Sequence, residues 1–282
     1  MAAPISTTDL VRDLWRLGVV PGDTLMVHAS MRALGPTEDR AASVVRALDT
    51  AVGASGSLLM TLGARDDWAW VNDRPEPERC GLLANATPFD CQSAPADPDV
   101  GVLAEVFRQM EGTLVSDHPE GRFGARGRLA RQLVDDVPWD DYYGPGSPLQ
   151  RLVDANGKVL RLGADRDTVT LLHYAEYLAT VPKKRRVRRH RRVTGPHGPE
   201  IRTVECLDDS EGIVDFPSED YFAVILTKFL ETHAPKQGVV ARAASELINA
   251  GELVDFSTRW MTDHLGGREP RASQHGITPA GS

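Results

Sequence analysis

The sequence predicts an α/β fold, with one mixed central sheet flanked by helices and a loop-rich flap over a substrate site. Three observations carry this reading. Short apolar runs alternate with amphipathic segments between residues 9 and 62, the strand-helix-strand rhythm of such domains. The pattern returns further on, where Val159-Leu160-Arg161-Leu162-Gly163 reads as a glycine-ended strand running into a helix. Between the two, residues 63–99 dissolve into Asp, Asn, Pro and Trp, and so long an unpatterned stretch in a compact domain usually serves a function.

Taken in order, Asp9 to Leu17 has helical spacing of Leu10, Val11, Leu14 and Leu17, with Thr7 and Thr8 as possible caps. Thr24 to His28 is a short apolar run bounded by Gly22-Asp23 and Ser30, hence a buried strand, and Ala29 to Pro36 a loop. Arg40 to Val52 reads as a helix and Gly56 to Leu62 as a strand. Gly101 to Met110 looks helical, Gly112 to Ser116 extended, and Ala125 to Val134 helical. A Gly/Pro loop at 142–147 precedes a helix at 148–155, a turn at Asn156-Gly157 and a strand at 158–162. After the helix that carries His173, Glu200 to Leu207 alternates like a strand. Helices are expected at 219–232, 238–249 and 253–265. We read a single domain over 1–267 and a disordered Gly/Pro/Ser tail over 268–282.

The 282 residues are 41% hydrophobic and 26% charged, as in soluble globular proteins. The first residues lack a basic segment followed by an apolar one, and no run approaches a membrane span, so the expectation is a cytoplasmic protein without membrane partners. The three cysteines, Cys80, Cys91 and Cys206, have no pairing of the zinc or disulfide type, and no metal is expected. Net charge is −8, yet Lys183 to Arg192 holds eight Lys/Arg and no acid. The acidic remainder favours a cationic ligand, whereas the basic run favours phosphates.

The chemistry is concentrated at Asp167 to Glu176, where His173 and Glu176 lie three apart at the start of a helix, hence on one face. Imidazole changes charge in the neutral range, which suits acid-base work. Val27-His28-Ala29-Ser30-Met31-Arg32 joins a strand end to a polar and a basic residue, a loop able to wrap a phosphate-bearing cofactor. Ser116 to Gly127 has glycines that allow close approach, with Arg122 and Arg126 as phosphate ligands. His118 there precedes Pro119 and is held extended, and packing explains it as well as binding does. Ser147 before Pro148 has the pattern of a helix cap.

The blocks VHASMRALG (27–35), TPFD (87–90), GVLAEVFR (101–108), HPEGRFGARG (118–127), GSPLQRL (146–152), GKVLRLGADRDTVTLLHYAE (157–176) and DSEGIVDF (209–216) occur in an order that resembles the aminoglycoside 3-N-acetyltransferases, from Leu10 to about Trp260. The resemblance implies acetyl-coenzyme A as cosubstrate and acylation of the 3-amino group of a 2-deoxystreptamine antibiotic, bound together with it. It makes His173 the general base and Asp209 its orienting carboxylate, with Asp208 and Glu176 as alternatives. It directs His28, Ala29, Ser30, Met31, Arg32, Ser116, His118, Arg122, Phe123 and Ser147 to the cofactor. A polycationic sugar calls for carboxylates and flat apolar faces; Asp66, Asp67, Asp90, Glu105, Glu176, Trp68 and Trp70 are the candidates. Residues 65–95 match the family pattern least, and an acyltransferase acting on another amine is the alternative reading. The oligomer is expected to be a monomer or homodimer.

Rival classes rest on less. The basic run from Pro182 onward has the composition of a nuclear-targeting or nucleic-acid segment, though inside the domain it fits an exposed strand better. A metal-dependent hydrolase built from His28, His118, His173 and Asp209 lacks any close ligand pair. Arg122 to Gly127 has its glycines at the wrong spacing for the acetyltransferases that grip coenzyme A with an Arg/Gln-x-x-Gly-x-Gly/Ala turn.

Overall fold

The computed structural model describes residues 3–217 and 220–267. The expected tail at 268–282 lies outside them. Helix α1 (Thr7–Leu17) is followed by β1 (Thr24–Ala29), α2 (Met31–Leu34), α3 (Arg40–Val52) and β2 (Ser57–Thr61). Next come α4 (Glu76–Leu83), α5 (Val102–Gln109), β3 (Leu114–Val115), β4 (Phe123–Gly127), α6 (Ala130–Val134), α7 (Pro148–Asp154), β5 (Lys158–Leu162) and α8 (Leu172–Leu178). The chain closes with β6 (Arg186–Gly195), β7 (Gly198–Leu207), α9 (Tyr221–His233), β8 (Lys236–Val240), β9 (Ala243–Asn249) and α10 (Ala250–Leu265).

Seven strands form one sheet in the order β3-β4-β2-β1-β5-β9-β8. β1 runs parallel to both β2 and β5, and the outer strands are antiparallel. Helices cover both faces, so the inner strands are apolar throughout rather than alternating. Met26, Leu59, Phe123, Val159 and Ile248 join the core that includes α8, α9 and α10. Leu25, Val27, Leu58, Met60 and Leu160 face α1 and α3. The C-terminal ends of β1, β2 and β5 open on the same edge, where sites of open α/β sheets gather.

One expected helix is a hairpin and another is helical only in its second half. Residues 125–134 begin as β4, because Gly124 lets the ring of Phe107 lie where a Cβ would be 3.2 Å away, and Gly127, at φ +92°, lets the Gly56 carbonyl approach; they turn helical at α6 (Ala130–Val134). Residues 238–249 are the hairpin β8–β9, turned at Ala241 (φ +56°). Val240, Ala243 and Leu247 mimic a helical stripe in sequence, but β9 takes the open edge of β5. The cap of α1 is Ser6, whose hydroxyl accepts from the Asp9 amide, not Thr7 or Thr8. The expected loop 29–36 contains α2.

Residues 63–99 are not structureless. They hold α4 and two 3-10 turns, Ala69–Asp73 and Pro98–Val100, and they dock on β6. Asn72 exchanges hydrogen bonds with the His190 backbone, Arg79 donates to the Arg188 carbonyl at 2.9 Å, and Phe89 pairs with Val193.

Candidate active site

The loop after β5 is tied to the end of β2 by Thr61 Oγ1 donating to Thr170 Oγ1 at 3.2 Å. One turn later α8 places His173 and Glu176 on one face. His173 Nδ1 is 2.8 Å from Glu176 Oε2. The other Glu176 oxygen accepts from the Tyr221 hydroxyl. Tyr143 stacks on the imidazole (centroids 5.0 Å apart, planes 10° apart), and Phe222 meets it edge-on at 4.8 Å. Burial lowers the pKa of His173, but the charge and hydrogen bond of Glu176 outweigh it and the net shift is upward. Burial raises Glu176, against the pull of His173 and Tyr221. With its Nδ1 proton committed to Glu176, the ring keeps its lone pair on Nε2.

This geometry reassigns the partner of His173. Asp209 does not bond the imidazole; it accepts from the Tyr142 hydroxyl and, at 2.7 Å, from Arg189. Burial would raise its pKa, but Arg189 and then His173 hold it below the usual carboxylate range. Asp208 accepts from the Ser210 and Glu211 amides and shapes a turn. Only Glu176 of the three candidates touches His173, because residues three apart in a helix meet without help from the tertiary fold.

Half of the expected cofactor residues are structural. His118 is shut from solvent, with Nδ1 accepting from the Glu120 and Gly121 amides and Nε2 donating to the Trp139 carbonyl. Arg122 is equally buried and donates to the carbonyls of Cys91, Pro95 and Ala94, so it ties the base of the 63–99 segment to β4. Ser116 bridges Gly121 and Phe123, and Phe123 itself lies in the core. Ser147 caps α7. Arg126, the second expected phosphate ligand, pairs with Asp49 at 2.9 Å.

The other half lies at the open edge of the sheet. His28 lies one residue before the end of β1, beside Arg161 of β5. Burial, and then the Arg161 charge, bring its pKa down to about 4, and its Nε2 has no partner among the described residues. Ala29, Ser30 and Met31 are half-buried and Arg32 is exposed. The Ser30 hydroxyl caps α2 by accepting from the Ala33 amide.

The expected sugar-binding acids also divide. Asp66 is almost buried and pairs with Arg191 at 2.6 Å. Glu105 clasps Arg108 through two bonds and accepts from the Ala96 amide, which brings its carboxyl down to about 2. Asp90 accepts from Gln92 and Ser93, the bond from the Ser93 hydroxyl leading, and its pKa falls. These three are anchors of the segment. Asp67 and Trp70 are exposed, and Trp70 stacks on Trp68 with centroids 6.0 Å apart.

Several residues escaped the sequence reading. Tyr142, Tyr143, Tyr221 and Phe222 wall the imidazole and its neighbours, and nothing local marked them. Arg189 and Arg191 looked like part of a solvated run, yet they reach Asp209, Glu120 and Asp66 from within the fold. Alternation along a strand was the available signal. The basic run is therefore spent on internal acids and carbonyls: Arg185 meets Asp215, Arg186 meets Asp141, Arg188 meets Glu76, and Arg192 meets the Ala84 carbonyl. Among the described residues no helix is long and apolar enough to cross a membrane, and no three His, Cys, Asp or Glu converge on a metal position.

The family model for aminoglycoside 3-N-acetyltransferases matches residues 26–262. Aminoglycoside N(3)-acetyltransferase VIII of Streptomyces fradiae is 38% identical over 269 residues, 94% of each chain. A solved AAC-IIIb in binary complex with CoASH is 37% identical and superposes with a TM-score of 0.88, over 95% of this chain and all (100%) of that one. AAC-VIa with bound sisomicin is 34% identical with a TM-score of 0.86, over 93% and 100%. Sequence and architecture agree along nearly the whole length, and the chain belongs to the aminoglycoside 3-N-acetyltransferase family of acyltransferases.

Proposed function

We propose that the protein transfers the acetyl group of acetyl-coenzyme A to the 3-amino group of a 2-deoxystreptamine aminoglycoside, conferring resistance to it. The amine attacks the thioester directly while both substrates are bound. The carrying observation is the His173–Glu176 pair, an imidazole whose Nδ1 lies 2.8 Å from a buried carboxylate; a proton on Nδ1 of the neutral ring leaves the lone pair on Nε2. An aminoglycoside amine is largely protonated near neutrality and attacks only as the free base. As its nitrogen bonds to the carbonyl carbon, Nε2 accepts the proton the nitrogen sheds. Glu176 stabilises the imidazolium so formed, and the same proton then neutralises the departing coenzyme A thiolate. No covalent intermediate on the protein is required; Cys91 and Cys206 are buried with their thiols pushed well up by burial first.

The loop 28–32 fits a coenzyme A arm. It combines a neutral His28 with an unpartnered Nε2, the half-buried residues Ala29, Ser30 and Met31 and an exposed Arg32. Ser116, His118, Arg122 and Ser147 do not fit, since their polar atoms are already bonded inside the fold. Asp66, Glu120 and Asp209 are likewise taken up by Arg191 and Arg189, so the exposed Asp67 and Trp70 are the groups left to meet a polycationic sugar. The CoASH and sisomicin complexes of the relatives support the two ligand classes.

The test is thiol release from acetyl-coenzyme A with gentamicin, tobramycin, neomycin and apramycin, with the acetylated position read by NMR. Release with wild type, lost in His173→Ala, with the acetyl group on the 3-amino nitrogen, is the expected result. No release with any of these drugs would move the function to a different amine acceptor.

A further inference from the structure

Tyr221 begins α9, far in sequence from the site it touches. Its hydroxyl donates to Glu176 Oε1 and accepts from the Ile213 amide at 3.2 Å. The chain of bonds therefore runs from a backbone amide through a phenol and a carboxylate to His173 Nδ1. Burial, and then the Glu176 charge, hold the phenol well above its ordinary pKa, so it stays a donor. Gly212 makes room for this hydroxyl: its φ is +74°, and a Cβ there would lie 2.9 Å from Tyr221 Cε1 and 3.0 Å from Oη. The ring is held edge-on by Phe216 and Phe222, and Phe222 in turn meets the imidazole.

We propose that Tyr221 is a positioning residue of the His173–Glu176 pair, its hydroxyl holding Glu176 as the ionised acceptor of the Nδ1 proton. The inference rests on His173 acting as the base. Glu176 is almost wholly shut from water, so the phenol replaces the solvation its second oxygen has lost. The other charged groups acting on the pair are Asp209 and Asp220, which favour imidazolium, and Lys184, which faces Glu176. None of these three donates a hydrogen bond to Glu176 Oε1; Tyr221 does.

The active state, neutral His173 beside ionised Glu176, relies on the phenol most, because no imidazolium then balances the carboxylate. Tyr221→Phe keeps the ring and removes the donor. The pair then holds its proton to higher pH, and the titration midpoint seen on the His173 ring resonances rises by about one pH unit, the scale of one hydrogen bond to a charged group. The acid limb of the pH–rate profile moves with it. Gly212→Ala, which presses a methyl group onto the hydroxyl, moves the midpoint the same way by less. In a Glu176→Gln background, Tyr221→Phe leaves the midpoint where it was, which a loss of packing alone would not produce. An unchanged or lowered midpoint in both Tyr221→Phe and Gly212→Ala overturns the proposal. The resonances are read in the protein without substrates. A rise there without any acyl transfer by wild type would sink the functional reading and leave Tyr221 in place.

Discussion

Replacing Arg122 by Met separates an anchor from a cofactor ligand. The Arg122 guanidinium is closed to solvent and donates at 2.8 Å to the carbonyls of Cys91 and Pro95 and also to that of Ala94. Arg122→Met keeps most of the stem and removes every donor, leaving the Cys91, Ala94 and Pro95 carbonyl oxygens unpaired and breaking a longer bond to the Gly63 carbonyl at 3.4 Å. A buried acceptor without a partner costs about 1–3 kcal/mol, so the sum over Cys91, Ala94 and Pro95 is about 3–9 kcal/mol before relaxation. Two effects reduce it. The cation's own burial penalty disappears, and Pro95, already exposed, can turn its carbonyl to water by local opening. The expected loss is about 3–5 kcal/mol, a fall in Tm on the order of 6–20 °C at about 2–4 °C per kcal/mol. Urea unfolding gives the stability, calorimetry the affinity for coenzyme A, and hydrogen exchange the local opening. The Ala94 and Asp97 amides, bonded to the Asp90 and Leu62 carbonyls, should exchange faster, while coenzyme A binds within about twofold of wild type. A variant of unchanged Tm whose coenzyme A affinity falls tenfold would refute this and return Arg122 to the cofactor.

The other predictions concern the pair and the segment anchors. His173→Ala should lose on the order of 10²- to 10⁴-fold in turnover, as general bases do, with coenzyme A affinity retained by calorimetry; near-normal turnover would contradict the role given to it. The wild-type acid limb of turnover should have its midpoint above about 6.5, the ordinary histidine value, because Glu176 raises it against burial. Glu176→Gln removes the counter-charge and keeps the burial, so that midpoint should fall below the wild-type one. Glu105→Gln should cost about 1–3 kcal/mol near neutral pH. Its folded carboxyl sits at about 2, below the unfolded value of about 4.3. The contribution is thus full above the unfolded value and vanishes as pH falls through about 2, which urea titrations at several pH values will show.

The sequence was most legible where chemistry and structure are local. His173 and Glu176 could be paired on paper because a helix fixes residues three apart, and the strands at 24–29, 57–61 and 158–162 follow from apolar runs between turn residues. Legibility failed where a partner comes from far along the chain. Asp209 resembles a triad carboxylate by its place in a motif, yet Arg189, twenty residues earlier in an arginine-rich run, claims it. His118 and Arg122 look like ligands because their types bind ligands, but carbonyls of distant segments take their donors and the Glu120 and Gly121 amides donate to the remaining His118 nitrogen. The hairpin at 236–249 was hidden by helical spacing that only the open edge of β5 overrules.

The bonds that fasten residues 63–99 have an evolutionary consequence. Arg122 and Arg192 grip carbonyl oxygens of Cys91, Ala94, Pro95 and Ala84, and Arg79 grips that of Arg188. Every residue type offers a carbonyl, so substitutions at 91, 94, 95 and 84 leave those fastenings intact. The exposed side chains of this stretch, Asp67 and Trp70 among them, are free to drift by point mutation without loosening the scaffold. A lineage built this way can sample new surface chemistry at one wall of the protein while the imidazole pair stays unchanged.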